Sequence, residues 1–166
     1  MRAVISDTGP ILHLYEADAL ELLRSAGEIL LPRAVDAELG ALIPSWATLR
    51  PSWLAVTELA EAAEVEARGW EESGLLDPGE AEALALAQQV DARWLLTDDT
   101  AARLLGIRLG IEVHGSLGVV LWAAAVGNLD KGEARGTLGR LFGSTLWVSA
   151  RVRAEATAAL DALFEG

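Results

Sequence analysis

Acidic side chains are the residues of this sequence best suited to chemistry, because several of them stand at the ends of apolar or helical segments. They are Asp7, Glu38, Glu80, Asp98 and Asp99. Carboxylates that crowd together repel, and each raises the pKa of its neighbours unless a divalent cation neutralises them. Mg²⁺ and Mn²⁺ accept sites made of oxygen ligands alone, and such ions organise the attack of water on a phosphodiester. If these acids meet in the fold, they indicate metal-dependent phosphodiester chemistry.

Each acid also has a purely structural alternative. The aspartates of the set could cap the helices that follow them, Glu80 could close a capping box with Asp77, and Glu38 could simply be exposed. Capping and cation binding do not exclude one another, because the positive end of a helix also holds a carboxylate ionised. Spacing alone leaves both interpretations open.

Other reaction classes lack their residues. The chain has no cysteine, which excludes disulfides, cysteine-bound zinc, iron–sulfur clusters and thiol nucleophiles. It has no GxxxxGK[ST], no GxGxxG after the first strand and no GxSxG. The histidines, His13 and His114, are too far apart to suggest a metal site, and we expect them to be packing or surface residues.

Apolar patterning predicts the elements that must position these acids. Strands are expected over residues 2–6, 28–31, 53–57, 93–97 and 111–113, with a loop over 40–52. The expected helices cover residues 18–24, 32–39, 58–72, a segment that begins at Asp77-Pro78, 100–109, 115–126, 132–142 and 149–164. Strands separated by helices predict an α/β fold with a mainly parallel sheet and helices on both faces.

The carboxyl ends of parallel strands form the edge at which open α/β sheets bind ligands. Asp7 directly follows the first predicted strand, and the Asp98-Asp99 pair follows the fourth. Glu38 lies on the helix after the second strand, and Glu80 lies in the first turn of the helix that begins at Asp77. We therefore expect four elements to bring carboxylates into one pocket at this edge.

Composition indicates one ordinary domain, residues 1–166, with 52% apolar residues. The formal net charge of −12 repels nucleic acid at long range, unless some of the acids hold cations. No signal peptide or membrane-spanning segment is visible, so we expect a soluble, cytoplasmic protein without a membrane partner.

Four segments, in this order, resemble PIN-domain proteins: ISDTGPILHL, LPRAVDAELG, DPGEAEALALA and LLTDDTAARLLGI. They are most similar to the PIN-like subgroup related to the VapC toxins of bacterial toxin–antitoxin pairs. The resemblance covers residues 1–128 as a core, and residues 129–166 would add C-terminal helices. It implies a three-layer α/β/α fold with a central, mainly parallel sheet, and cleavage of single-stranded RNA with Mg²⁺ or Mn²⁺.

Residue by residue, the resemblance implies that Asp7, Glu38 and Glu80 are the first three acids and that the fourth is one of the two adjacent residues Asp98 and Asp99. We expect Asp7, Glu38, Glu80 and Asp98 to bind the metal, with Asp99 orienting the attacking water or substituting as a ligand. The third acid is usually Asp, whereas this chain has Glu80, with Glu82 two residues further on. Two residues turn a helix by about 200°, so only one of these glutamates can face the pocket. We choose Glu80, because it lies in the first turn of the helix.

If the acids hold metal, basic residues after the fourth strand become candidates for contact with the RNA phosphates. The first four of these are Arg103, Arg108, Lys131 and Arg135. The same bases could instead meet an acidic partner protein.

We therefore expect an endoribonuclease, the toxin of a toxin–antitoxin pair, with RNA as substrate and an antitoxin protein as possible partner. A homodimer is also expected, because the chain has six tryptophans and the apolar segment 115–126. The alternative is a PIN-like module that binds RNA or protein without cleaving it. A third class rests on Asp7-Thr8-Gly9, which matches the Asp-Thr-Gly of aspartic proteases, although those need a paired copy and a β-rich fold.

Overall fold

A computed structural model describes residues 2–165 and shows an α/β fold with a five-stranded, all-parallel sheet. The strand order is β3-β2-β1-β4-β5. The strands are β1 Ala3–Ser6, β2 Glu28–Pro32, β3 Leu54–Thr57, β4 Trp94–Leu96 and β5 Val113–His114. The short apolar runs of the sequence form strands because this sheet is covered on both faces.

Nine α-helices and one 3-10 helix, Leu20–Ser25, surround the sheet in the described residues. The α-helices are α1 Thr8–Glu16, α2 Arg33–Leu42, α3 Trp46–Leu49, α4 Glu61–Glu72, α5 Pro78–Gln89, α6 Thr100–Arg108, α7 Ser116–Ala125, α8 Lys131–Phe142 and α9 Ala150–Leu163. No helix within residues 2–165 is long and apolar enough to cross a membrane.

Strand β1 lies at the centre of the sheet, and its register aligns the acids. Ile5 is opposite Leu30 on β2 and Leu95 on β4. One step further along, the Asp7 N–H donates to the Leu96 carbonyl over 2.9 Å. The chain therefore leaves β1 and β4 side by side, at the same edge of the sheet.

Two largely buried helices pack on the sheet, α5 at its central strand and α7 at its edge strand β5. Helix α5 contacts β1, β2 and β4 as well as α2 and α4, and its alanine-rich body is almost completely buried. Helix α7 packs against α1, α8 and α9 of the same chain. The apolar segment that favoured a homodimer is therefore covered to a large extent within the chain.

The structure differs from the predicted elements in three places. Helix α1, Thr8–Glu16, was not among the predicted helices. Residues 18–24 were expected as an α-helix, but only the 3-10 helix Leu20–Ser25 forms there. The expected loop 40–52 contains the end of α2 and the short helix α3, and Trp46 of α3 is buried. Burial of Trp46, whose Nε1–H donates to Asp36 over 2.8 Å, stabilises this turn between its two prolines.

Candidate active site

Asp7 follows β1 directly and caps helix α1. The residue is only 6% exposed. One oxygen, Oδ1, accepts the Thr8 N–H over 2.7 Å, and the other, Oδ2, accepts the Thr97 hydroxyl over 3.0 Å. Burial raises the pKa of Asp7 to about 7, although these two hydrogen bonds partly offset it. The expected capping role is confirmed, and the cap is a buried carboxyl group that ionises only near neutral pH.

Glu38 comes to Asp7 from helix α2 and is half-buried, so the alternative of a simply exposed side chain does not apply. Its Oε2 accepts the Thr8 hydroxyl, and its Oε1 accepts the Gly79 N–H over 3.2 Å. Burial raises the pKa of Glu38, and the charges of Asp77 and Glu82 raise it further. Thr8 therefore connects two carboxylates, since its N–H contacts Asp7 and its hydroxyl contacts Glu38.

Glu80 lies in the first turn of α5, where the predicted capping box is confirmed. The Glu80 N–H donates to Asp77 over 2.8 Å, and the Asp77 N–H donates to Glu80 Oε2 over 3.1 Å. Burial raises the pKa of Glu80 to about 8, with further contributions from the charges of Asp77, Asp99 and Asp7. Glu82 instead accepts the Ala34 N–H over 3.1 Å.

Asp98 is surrounded by donors from two helices. Its Oδ1 accepts the Ser116 N–H over 2.7 Å, and its Oδ2 accepts the Ser116 hydroxyl over 2.5 Å and lies 2.7 Å from His13 Nδ1. Burial opposes the charge, but the hydrogen bonds from His13 and Ser116 outweigh it and lower the pKa of Asp98. His13 packs within the fold as expected, and it also pairs with this partly buried carboxylate.

Asp99 caps helix α6 by accepting the Ala102 N–H over 2.9 Å. Its own N–H donates to the Thr97 hydroxyl over 3.1 Å. Thr97 therefore connects the backbone of Asp99 to the carboxylate of Asp7. The charge of Asp99 also contributes to the raised pKa of Glu80. The two adjacent aspartates thus have different surroundings: Asp98 contacts α1 and α7, whereas Asp99 interacts with Glu80.

The structure brings one of the predicted RNA-binding bases to these acids. Arg103 donates to the Thr97 carbonyl over 3.5 Å, and its side chain lies over Gly115 beside Asp98. Arg108 is at the other end of α6, about 12 Å along the helix from its first residue. On α8, Lys131 and Arg135 both contact Asp161 of α9, over 3.8 Å and 2.6 Å. No contact joins Lys131 or Arg135 to the acids within the described chain.

The acids fit a divalent cation in chemistry and in charge. Asp7, Glu38 and Glu80 offer only oxygen donors, and all three have a raised pKa. None of them takes part in an ion pair within residues 2–165. In that range, no three His, Asp or Glu side chains are grouped closely enough to hold a metal ion. These acids therefore have no basic partner in the described chain, and their carboxylate oxygens accept hydrogen bonds from other groups of the protein.

Several residues around the acids were not predicted from the sequence. Thr8 and Thr97 hold the carboxylates, and each directly precedes or follows a predicted acid, which is the one signal that could have identified them. Asp77 was expected only as a helix cap. Its charge also raises the pKa values of Asp7, Glu38 and Glu80. Ser116 could not have been found, because it comes from a segment that read only as the start of an apolar helix.

Comparison with known proteins agrees with this architecture. Residues 3–162 match the model of a family described as PIN domain. The match extends beyond residue 128, through α8 and most of α9. A comparison with curated proteins found no match. The all-parallel sheet also excludes the aspartic-protease alternative for Asp7-Thr8-Gly9, because it has none of the required β-rich architecture. Since the model covers nearly the whole sequence, the chain belongs to the PIN-domain family.

Proposed function

We propose that this PIN domain is a Mg²⁺- or Mn²⁺-dependent endoribonuclease that cleaves single-stranded RNA. PIN domains are generally nucleases, and that places the chain in a nuclease-type family. The observation that carries the proposal is the set of three neighbouring acids, Asp7, Glu38 and Glu80, whose pKa values are raised and which have no basic partner in the described chain. Such a set is costly to the fold unless a cation or a proton compensates it.

Asp7, Glu38 and Glu80 would hold the cation, with the fourth place taken from the Asp98-Asp99 pair. We assign that place to Asp99, because Asp98 already accepts three hydrogen bonds from His13 and Ser116. When bound, the cation supplies Lewis acidity at the phosphate and lowers the pKa of water. Asp98 then keeps a positioning role at the N-terminus of α7.

The residues of the chain contribute orientation and charge to this reaction. Thr97 holds Asp7 on one side and the Asp99 backbone on the other, which maintains the spacing of two acids. Arg103, next to this threonine, is placed to contact an RNA phosphate. We propose that Arg108, Lys131 and Arg135 contact more distant parts of the RNA backbone, where a net charge of −12 otherwise disfavours binding.

The same proposal includes a biological role as the toxin of a toxin–antitoxin pair, with an antitoxin as partner, and a homodimeric state. The homodimer is supported by exposed apolar side chains: Trp147 is 85% exposed, and Leu104 and Ile107 on α6 are 58% and 57% exposed. Light scattering that gives the 17.6 kDa monomer at micromolar concentration would exclude the dimer. A small neighbouring reading frame that encodes an antitoxin-like protein would support the partner.

Cleavage of a fluorogenic single-stranded RNA in EDTA, Mg²⁺ and Mn²⁺ tests the nuclease. We expect cleavage by the wild type only with metal, and a loss of about 10²-fold or more in Asp7→Asn. Glu82→Gln is the matched control, because Gln can still accept the Ala34 N–H, and we expect it to keep cleavage within a few-fold of the wild type although it removes a charge that acts on Glu38. Growth arrest on induction in bacteria, abolished by Asp7→Asn, tests the toxin role.

The second candidate is a PIN-like module that binds RNA or protein without cleaving. Two observations favour it: the strongly acidic charge, and the absence of a preformed group of three metal-binding side chains in residues 2–165. If the wild type neither gains thermal stability with Mn²⁺ nor cleaves RNA, this second function replaces the first.

A further inference from the structure

Glu38 differs from the aspartates in how it reaches the acids. Asp7 and the Asp98-Asp99 pair follow strands, so the sheet itself fixes their backbone at one edge. Glu38 lies near the middle of helix α2, and its flexible side chain must be held by other groups. Its two carboxylate oxygens each accept one hydrogen bond, and the donors come from two different elements.

The first donor is Thr8, the residue directly after Asp7. Its hydroxyl donates to Glu38 Oε2, while its N–H donates to Asp7 Oδ1 over 2.7 Å. One residue therefore sets the position of both carboxylates. Because Thr8 begins helix α1, its backbone is fixed by that helix and cannot easily follow a displaced Glu38.

The second donor is Gly79, in the first turn of α5. Its N–H donates to Glu38 Oε1 over 3.2 Å, and Gly79 itself is buried. A Cβ atom at this position would overlap the Glu38 carboxylate and would lie only 2.8 Å from its carboxyl carbon. The close approach of Glu38 to the start of α5 therefore requires glycine at position 79.

We propose that Thr8 and Gly79 are positioning residues that form a two-donor clamp on Glu38 and fix it beside Asp7 for cation binding. The clamp is a property of the metal-free protein, whereas its effect on a cation rests on the proposed function. An ionised carboxylate can accept about four hydrogen bonds, so two donors orient Glu38 and still leave lone pairs for a metal ion. Hydrogen-bonding partners of metal ligands typically contribute 10- to 100-fold to metal affinity.

The test compares Thr8→Val, Thr8→Ser and Gly79→Ala with the wild type. Val keeps the shape of Thr but removes the donor, whereas Ser keeps the donor. Thr157→Val on α9 is the matched control, since its hydroxyl donates only to the Arg153 carbonyl over 2.9 Å. Two readouts are needed: Mn²⁺ affinity by calorimetry, and the amide hydrogen exchange of residue 79 by NMR in the metal-free protein, for the variants that retain Gly79.

We expect Thr8→Val to lower Mn²⁺ affinity by about 10-fold or more and Thr8→Ser to stay within about 3-fold of the wild type. Gly79→Ala is expected to lose at least as much affinity as Thr8→Val, because the added Cβ displaces Glu38. In the metal-free protein, exchange of the Gly79 amide accelerates in Thr8→Val but not in Thr8→Ser or Thr157→Val.

Different results overturn the clamp and the proposed function. If Thr8→Val binds Mn²⁺ as tightly as the wild type, or if Thr8→Ser is as weak as Thr8→Val, the positioning role is wrong. If the wild type does not bind Mn²⁺ at all, the proposed function fails. The clamp is then judged by the Gly79 amide alone, and unchanged exchange in Thr8→Val overturns it.

Discussion

His13 Nδ1 lies 2.7 Å from Asp98 Oδ2, and this contact joins helix α1 to the end of β4 across 85 positions of the chain. The same carboxylate accepts the N–H and the hydroxyl of Ser116 at the start of α7. Gly115, which precedes Ser116, has no side chain to cap that helix, so Asp98 supplies the cap from another element. Asp98 therefore holds three elements together, which distinguishes it from its neighbour Asp99.

The first prediction separates these adjacent aspartates by substitution to Asn. Asp98→Asn weakens charged hydrogen bonds in a partly buried position and should destabilise the protein by about 1–3 kcal/mol. Asp99→Asn keeps a good helix cap, so stability should change little, while RNA cleavage falls by about 10²-fold. Thermal unfolding and the cleavage assay measure both effects. The reverse pattern, with Asp98→Asn inactive but stable, would return the fourth metal position to Asp98.

The second prediction concerns the pH dependence of the metal-free protein. The carboxyl of Asp7 releases its proton near pH 3.8 in the unfolded chain but near pH 7 in the folded one. The folded state therefore binds the extra proton between these values, and stability falls as pH rises through this window. Unfolding in EDTA at pH 5 and pH 8 should show a higher Tm at pH 5.

Asp7→Asn removes this titration, so the difference in Tm between pH 5 and pH 8 should shrink. The variant should also melt no lower than the wild type at pH 8, where the ionised Asp7 is most costly. A variant with the full pH dependence of the wild type would show that another group is responsible; Glu80 is the next candidate, because its pKa is about 8.

The third prediction is that Mn²⁺ stabilises the wild type more at pH 8 than at pH 6. Metal ligands must be deprotonated. In the folded protein, burial raises the pKa of Asp7 to about 7 and that of Glu80 to about 8. At a Mn²⁺ concentration 100 times Kd, stabilisation should reach about 2.7 kcal/mol. A Tm shift of equal size in Asp7→Asn would place the cation elsewhere.

The fourth prediction uses the two glutamates of helix α5. Glu80→Gln keeps the capping box, because Gln can take the place of Glu in that motif, but removes the charge. We expect unchanged or slightly higher stability without metal, and loss of both Mn²⁺ binding and RNA cleavage. Glu82→Gln should change stability, Mn²⁺ binding and RNA cleavage far less, because Glu82 affects the acids only through its charge on Glu38. Equal effects of the two substitutions would contradict the choice of Glu80.

The fifth prediction concerns Arg103 and binding of RNA. Arg103→Ala should weaken the affinity for single-stranded RNA and reduce the slope of log K against log salt by about 1. Arg135→Ala is the comparison, because Arg135 is already paired with Asp161 over 2.6 Å, and we expect a smaller effect. Fluorescence anisotropy in EDTA at several salt concentrations measures binding without cleavage.

Much of the fold could be predicted because its signals are local. The strands around Ile5 and Leu95 are short apolar runs, and α5 begins with Asp77, Pro78 and Glu80, which specify a helix start by themselves. The helix expected over residues 18–24 did not form, because the leucine spacing describes burial equally well in a 3-10 turn. Residues that mark the start of a helix therefore predicted these elements better than the leucine spacing did.

The acids could be predicted as a group, but their partners could not. Asp7 and the Asp98-Asp99 pair follow strands, so topology brings them together. The contact between His13 and Asp98 depends on how α1 lies over the end of β4, which no spacing in the sequence reports. The different surroundings of Asp98 and Asp99 follow from the same packing of helices. The hydrogen bond from the Gly79 N–H to Glu38 also depends on helix packing.

The position of β1 between β2 and β4 has a consequence for synthesis of the chain. Thr97, which donates to Asp7, is made 90 positions after it. At about 5–20 residues per second, the ribosome adds that stretch in roughly 5–20 s. During this time one edge of β1 is unpaired, and the Asp7 carboxylate has only one of its two hydrogen bonds. A stalled or truncated product that ends before β4 therefore carries the first acid but has no assembled site.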